Sequence, residues 1–341
     1  MMEITAVLDA LCSAAGAGGL PQAAQAAAAL LRPLVEEVTT DAMGNVLGIR
    51  RCGRAGAPTV LLEAHIDEIG FIVTGADDAG FVKVAPCGGI DRRTLAGAEV
   101  VLWGDKPVAG VFCSTPPHLH KGGDALPEIA DMGVDTGLTA EQVRAAVPTG
   151  TRGTFRANFR PMTGSLVCSK ALDDRAGVAA VLLCLEQLRD TALPVDVAVA
   201  FAVQEELGCR GAATAAFSAA PDAAIAADVS FAFTPDADRA KCGELGKGPM
   251  LGWAPSLDWA LTDRLDRLAR AENIPLQHEV MGGDTGTDAD SIASARAGVR
   301  TALLSIPLRY MHTPCEVVDV RDVEQTARLM AAFIQEGGAA V

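Results

Sequence analysis

The run from Val195 to Val203 constrains the fold of this chain more than any other stretch. Asp196 is its only polar residue. Such a run is typical of a strand buried on both faces of a parallel sheet. Glu205 and Glu206 follow the run after a single glutamine. Two carboxylates at the end of a buried strand are costly to desolvate unless a cation meets them. The rest of the chain should therefore supply that cation.

Composition and charge narrow the class of protein. The chain has 341 residues, 50% of them hydrophobic, and a formal net charge of −15. That length allows two or three domains, or one large α/β domain with an insertion. We expect no nucleic-acid or membrane partner, because both favour clustered Lys and Arg. The nine cysteines include no C-x-x-C pair, which indicates free thiols in a reducing cytoplasm. The start of the chain lacks the basic region of a signal peptide.

The pattern of short segments changes twice along the chain. Residues 70–165 contain short alternating strands separated by turns, a pattern typical of a small barrel or sandwich. A helix is predicted at Ala140–Ala146 within them, and another is predicted after a cap at Ser256. On both sides of residues 70–165, apolar strands alternate with helices. We therefore predict an α/β domain formed by residues 1–69 and 166–341, with an inserted β-rich domain at 70–165.

Six polar side chains form a candidate constellation, and all but one lie at or just after the end of an apolar strand. They are His65, Asp173, Glu205, Glu206, Asp228 and His312, of which Asp173 precedes a helix instead. In open α/β sheets, ligands bind outside the carboxyl ends of the strands. Imidazoles and carboxylates together suit zinc, cobalt or manganese. The surplus of carboxylates favours two ions that share a bridging Asp, roughly 3.5–4 Å apart.

Each of these residues alone has a simpler interpretation. A single His after a strand is more often a hydrogen-bonded structural residue, and Glu205-Glu206 alone could be a solvated turn. Asp173 and Asp174 could cap the helix that follows them. The combination favours ligation, and we expect Asp173 to be the ligand while Asp174 caps the helix or pairs with Arg175.

Six segments carry a resemblance to a known family. They are EAHIDEIGF (Glu63–Phe71), SKALDDRAG (Ser169–Gly177), VQEELGCRGA (Val203–Ala212), AADVS (Ala226–Ser230), GTDAD (Gly286–Asp290) and SIPLRYMHTPCEVVD (Ser305–Asp319). In this order, and over nearly the whole chain, they resemble the tetrahedral-type dinuclear metallo-aminopeptidases. That family includes glutamyl and deblocking aminopeptidases. The resemblance implies a three-layer α-β-α metallopeptidase domain with a PDZ-like insertion.

The resemblance also implies ligands for two divalent ions, zinc or cobalt first and manganese as a further option. His65 and Asp228 would bind one ion. Glu206 and His312 would bind the other, and Asp173 would bridge the two.

The same resemblance implies catalytic roles and partners. Glu205 would be the general base for a water that bridges the two ions, and Asp67 would orient His65. The substrates would be peptides, which would lose their N-terminal residues. The insertion would dimerise the chain, and dimers of this family often assemble into hollow dodecamers.

Some segments depart from the family pattern or carry a weaker signal. Phe231–Thr234, Cys209 and Cys315 are unusual for this family, and the default role of both cysteines is that of a small buried hydrophobe. The loop Gly282–Asp290 should line the substrate pocket. We expect no second metal site at His118 and His120.

Two other functions remain open from the sequence. One is a dinuclear amidohydrolase that acts on small N-acyl substrates, and the other is a non-catalytic oligomeric scaffold that retains metal. The preferred N-terminal residue and the native metal also remain open.

Overall fold

The computed structural model of the chain describes residues 2–116, 118–119 and 126–338. Its helices are α1 Ile4–Ser13, α2 Gln22–Leu31, α3 Ala140–Ala146, α4 Leu172–Leu188, α5 Arg210–Ala219, α6 Trp259–Ala271, α7 Asp288–Ala293 and α8 Val320–Gln335. Its strands are β1 Glu37–Thr40, β2 Val46–Arg50, β3 Thr59–His65, β4 Gly70–Ala76, β5 Val82–Cys87, β6 Glu99–Trp103, β7 Pro107–Phe112, β8 Val134–Asp135, β9 Arg152–Phe155, β10 Arg160–Pro161, β11 Leu166–Ser169, β12 Asp196–Ala202, β13 Ala223–Phe231, β14 Met250–Trp253, β15 Gln277–Val280, β16 Arg300–Arg309 and β17 Glu316–Asp319.

A mixed sheet of eleven strands forms the centre of the described fold. Its main path runs β1-β2-β12-β3-β13-β16-β17-β11-β10, and β14 joins it by pairing with β16 and β15. The middle strands β12, β3, β13 and β16 are parallel neighbours. The apolar run at 195–203 contains β12, as its composition predicts, and nearly every residue of β12 is buried. The carboxyl ends of these strands therefore meet at one edge.

Helices cover both faces of the sheet, because successive strand residues point to opposite sides. Leu62 packs into a large cluster with α1, α2, α4, α6 and α8. Its neighbour Leu61 packs into a second cluster with α5 and α7. Ala residues dominate the second cluster, so the short helix α5 lies close to the sheet. The predicted three-layer α/β architecture is confirmed.

Strands β4 to β9 close into a separate barrel in the order β4-β5-β8-β7-β6-β9. Its core contains Phe71, Phe112 and Phe155, and the Phe71 ring lies 4.9 Å from that of Phe112 and 5.3 Å from that of Phe155. This barrel confirms the predicted β-rich insertion. The boundaries at residues 70 and 165 stay a prediction.

Two local predictions have different outcomes. Helix α3 spans the predicted residues and begins with a capping box of Thr139 and Gln142. The predicted cap at Ser256 is wrong, because Asp258 caps α6 through a hydrogen bond from the Leu261 backbone N–H. His118 lies in a turn, and His120 lies outside the described residues. Within the described residues, no helix is both long and apolar enough to cross a membrane.

Candidate metal centre

Three neighbouring strands deliver the first part of the predicted constellation to one edge of the sheet. His65 ends β3 and pairs in register with Ala202 at the end of β12. Glu205 and Glu206 therefore follow β12 beside His65. Asp228 lies within β13, the other neighbour of β3, rather than at its end.

Two loops complete the cluster. Asp173 lies in the first turn of α4, and a cis peptide bond joins it to the next residue, Asp174. Asp174 accepts a hydrogen bond from the Gly177 N–H at 2.9 Å, so it caps the helix as expected. His312 follows β16 in a left-handed backbone conformation, with φ of 60°.

Asp173 lies between two imidazoles. Its Oδ1 is 3.0 Å from His65 Nε2, and its Oδ2 is 3.3 Å from His312 Nε2. Burial alone would raise the pKa of Asp173, but hydrogen bonds from His312 and His65 hold it below its usual value. This carboxylate is thus ionised and central, as a bridging ligand has to be.

Two groups of possible ligand atoms meet at Asp173. One group is His65, Asp173 and Asp228, and the other is Asp173, Glu206 and His312, with the atoms of each group within 4.8 Å of one another. In the second group, His312 Nε2 lies 3.5 Å from Glu206 Oε2. Glu205 belongs to neither group, although its Oε2 is 4.0 Å from His65 Nε2. The structure thus separates Glu205 from Glu206.

The electrostatics of the cluster fit a divalent cation. Burial and the nearby Asp173 charge raise the pKa of Glu206 to about 10, and burial raises that of Asp228 well above normal. Burial opposes protonation of His65, yet hydrogen bonds with Asp173 and Asp67 raise the pKa of this imidazole. Since these buried carboxylates lack sufficient positive charge nearby, the donor set suits metal ions with oxygen and nitrogen ligands.

Two carboxylates that are not proposed ligands, Asp67 and Glu316, position residues of this cluster. Asp67 Oδ1 accepts the Glu205 N–H at 3.1 Å and lies 3.6 Å from His65 Nδ1. Glu316 is 1% exposed and accepts the backbone N–H groups of Asp173, at 3.1 Å, and His312, at 3.0 Å. The sequence pattern alone does not identify Glu316 as part of the site, although a carboxylate at the start of the apolar strand β17 is unusual enough to mark it.

A cavity of about 460 Å³ opens onto the cluster. Thr285, Gly286 and Thr287 line it, in agreement with the role predicted for the loop Gly282–Asp290. Phe231 and Glu279 also line it. Of the departures from the family pattern at Phe231–Thr234, Phe231 lines this cavity, whereas Ala232 and Thr234 line a neighbouring one.

The two unusual cysteines have different surroundings, and neither is a buried hydrophobe as expected by default. Cys209 is partly exposed, and its Sγ donates to Glu205 Oε1 at 3.2 Å. Cys315 is exposed and lines a neighbouring cavity rather than this one. All nine cysteines are free thiols in the structure.

Comparison with known proteins identifies the family. A model of the M42 glutamyl aminopeptidases matches residues 44–329. A lysyl aminopeptidase of Pyrococcus furiosus is 36% identical, over 90% of this chain and 89% of its own. The aminopeptidase APDkam598 of Desulfurococcus kamchatkensis has a TM-score of 0.89 and 33% identity, over 98% of this chain and 94% of its own.

A solved structure of the Pyrococcus horikoshii TET1 peptidase has a TM-score of 0.86 and 29% identity, over 98% of this chain and 100% of its own. That peptidase can assemble into a tetrahedron or a large octahedral shell. The chain described here belongs to the M42 glutamyl aminopeptidase family and is an aminopeptidase, a hydrolase that acts on peptide bonds.

Proposed function

We propose that the chain removes N-terminal residues from peptides with the help of two divalent metal ions. One observation carries the proposal: two groups of possible ligand atoms share Asp173, and Glu205, a carboxylate outside both groups, lies beside them in a cavity. Five candidate ligands converge on the shared Asp173, one more than the four of a tetrahedral zinc site. The arrangement thus favours a dinuclear hydrolase over a structural metal site.

The proposed ligands divide into two sets. His65 and Asp228 would hold one ion, and Asp173 would be shared. Glu206 and His312 would hold the other. When bound, such ions polarise a carbonyl and lower the pKa of water towards about 7. Zinc, cobalt and manganese all suit these ligands.

Glu205 is the proposed general base. Because its carboxylate faces the cluster without belonging to either ligand group, it can take a proton from the attacking water. It then gives that proton to the leaving amine, a role worth roughly 10²–10⁴-fold in rate. The Glu205 N–H donates to Asp67, so one carboxylate positions both the base and His65.

A substrate panel tests the proposal. We expect the chain, stripped of metal and reloaded with zinc, cobalt or manganese, to hydrolyse aminoacyl anilides that have a free amine. The N-acetylated forms of the same anilides should be inert. Turnover of the acetylated forms alone would indicate an amidohydrolase, and full metal content without any turnover would indicate a scaffold.

Two neighbouring substitutions separate the roles of base and ligand. Glu205→Gln should reduce kcat by at least about 10²-fold with both ions retained. Glu206→Gln should lose one ion, as measured by elemental analysis of the dialysed protein. Wild-type turnover by Glu205→Gln would refute its assignment as the base.

We also propose self-association through the barrel domain at residues 70–165. The assembly of the Pyrococcus horikoshii relative supports it, and so do exposed apolar side chains on the barrel, Ile72, Phe81 and Val111. Light scattering after gel filtration should show a dimer or a dodecamer. A monomer at micromolar concentration would contradict this part of the proposal. The nine free thiols support a reducing location such as the cytoplasm.

A further inference from the structure

The cavity beside the candidate metal centre has one charged wall residue of its own. Among the described residues that line it, the proposed ligands and Glu205 account for every other charge. The remaining charge belongs to Glu279 on strand β15. No lysine or arginine is found among these lining residues. The substrate pocket is therefore acidic away from the centre as well as at it.

Glu279 is hydrogen-bonded to the strand that carries the proposed ligand Asp228. The Ser230 hydroxyl donates a hydrogen bond to the Glu279 carboxylate. Ser230 and the proposed ligand Asp228 are two residues apart in β13, so their side chains lie on the same face about 7 Å apart. The hydrogen bond to Ser230 thus ties the Glu279 carboxylate to the face of β13 that carries the proposed ligand Asp228.

Apolar side chains form much of the remaining wall of this cavity. Phe231, Met281, Leu303 and Met311 line the same cavity. An apolar wall that ends in a carboxylate matches a side chain with a methylene stem and a cationic end. The carboxylate would repel the side chain of an N-terminal Glu or Asp. A leucine side chain would leave the carboxylate without a cationic partner.

We propose that Glu279 makes this chain select peptides that begin with lysine or arginine. This inference rests on the proposed function, since it places the N-terminal side chain of the substrate in the same cavity. The Ser230 hydroxyl holds the Glu279 carboxylate in place, which lowers the cost of ordering it when the cation arrives.

The test compares p-nitroanilides of lysine, arginine, norleucine and glutamate with the metal-loaded protein. Norleucine has the alkyl stem of lysine but not the ammonium group, so the ratio of kcat/KM between the two isolates the charge. We expect a preference for lysine of about 10- to 100-fold, the range of one charge-assisted hydrogen bond. Glu279→Gln should reduce that ratio to near one, because the amide removes the charge and keeps the shape of the side chain. Glu279→Lys should invert the order of lysine and glutamate.

A matched control is Glu324→Gln, because Glu324 is exposed on α8 and the substitution removes the same charge from the protein. It should leave the ratio unchanged. Metal content and melting temperature of Glu279→Gln should equal those of the wild type, since the side chain is only half-buried. An unchanged lysine to norleucine ratio in an active Glu279→Gln protein overturns the inference alone. Absence of turnover with every free-amine anilide contradicts the proposed function as well.

Discussion

The Cys209 thiol donates a hydrogen bond to the Glu205 carboxylate, with 3.2 Å between Sγ and Oε1. Burial and the Glu205 charge raise the pKa of the thiol, so the proton stays on the sulfur at neutral pH. Cys209 also accepts the Ser291 hydroxyl at its backbone carbonyl, at 2.6 Å. The proposed general base is thus oriented by a cysteine that helix α7 in turn holds in place.

Replacing Cys209 should change kcat more than KM. Cys209→Ala removes the donor and frees the Glu205 side chain, so we expect kcat to fall about 3- to 10-fold, the range of one modest hydrogen bond. Cys209→Ser keeps a donor and should recover most of that loss. Steady-state kinetics on one anilide, with metal content measured in parallel, gives the answer. Equal kcat for Ala and wild type would show that the thiol does not position the base.

The shared position of Asp173 predicts unequal metal loss. Asp173→Asn weakens both ligand groups, so the dialysed protein should retain neither ion at full occupancy. Asp228→Asn weakens one group and should leave one ion per chain. Elemental analysis after dialysis measures both. Similar metal content in the two variants would contradict a bridging role for Asp173.

The sequence predicts the parts of this site that depend on local pattern. The alternation of apolar strands and helices is sufficient to place His65 beside Glu205 and Glu206, because parallel strands end at a common edge. Asp228 lies in the same cluster, although β13 continues beyond it to Phe231.

The parts that the sequence does not reveal depend on tertiary register. Glu316 accepts hydrogen bonds from the backbone N–H groups of Asp173 and His312, which lie in two other segments of the chain. Nothing near Glu316 in the sequence indicates these partners. Glu279 lies on a four-residue strand with little apolar character, so no periodic pattern identifies it as part of the pocket. Ser256 resembles a helix cap, yet Asp258 is better placed, because its carboxylate reaches the Leu261 N–H and the Arg300 side chain.

The buried carboxyl group of Asp288 predicts that the stability of the fold depends on pH. Burial raises the pKa of Asp288 to about 7 from the ordinary 3.8, although the His65 charge and a hydrogen bond with Glu63 act in the opposite direction. The folded protein therefore holds a proton that the unfolded chain releases near pH 4. The contribution of this group to the free energy of unfolding is therefore greatest below pH 4 and falls as the pH rises to 7.

Asp288→Asn removes this dependence, because the amide is neutral at every pH. We expect the variant to unfold like the wild type at pH 4 and to be more stable at pH 8, by at most about 4 kcal/mol. Denaturant unfolding at both pH values, with the same metal content, measures the difference. Asp105→Asn, at an exposed position, should show no such effect. If the gain in stability of Asp288→Asn over the wild type were larger at pH 4 than at pH 8, the predicted sign would be wrong.

The buried charges next to the centre predict an order of destabilisation. Glu68 and Lys170 are each 2% exposed and lie 2.7 Å apart, and Arg175, which is fully buried, lies 3.7 Å from Glu68. One carboxylate thus balances two buried cations. Glu68→Gln keeps the acceptor for the Gly16 N–H but leaves both cations unpaired, so we expect a loss of about 3–5 kcal/mol in the free energy of unfolding.

Lys170→Met should cost less, because Arg175 still balances Glu68 after the lysine is removed. Denaturant unfolding gives the order of the two variants. Asp78→Asn is the control, since its pair with Arg144 is exposed and should contribute at most about 1 kcal/mol. If Lys170→Met were the more damaging change, Glu68 would depend on the lysine alone and Arg175 would owe its stability to the carbonyls of Leu11 and Ala14.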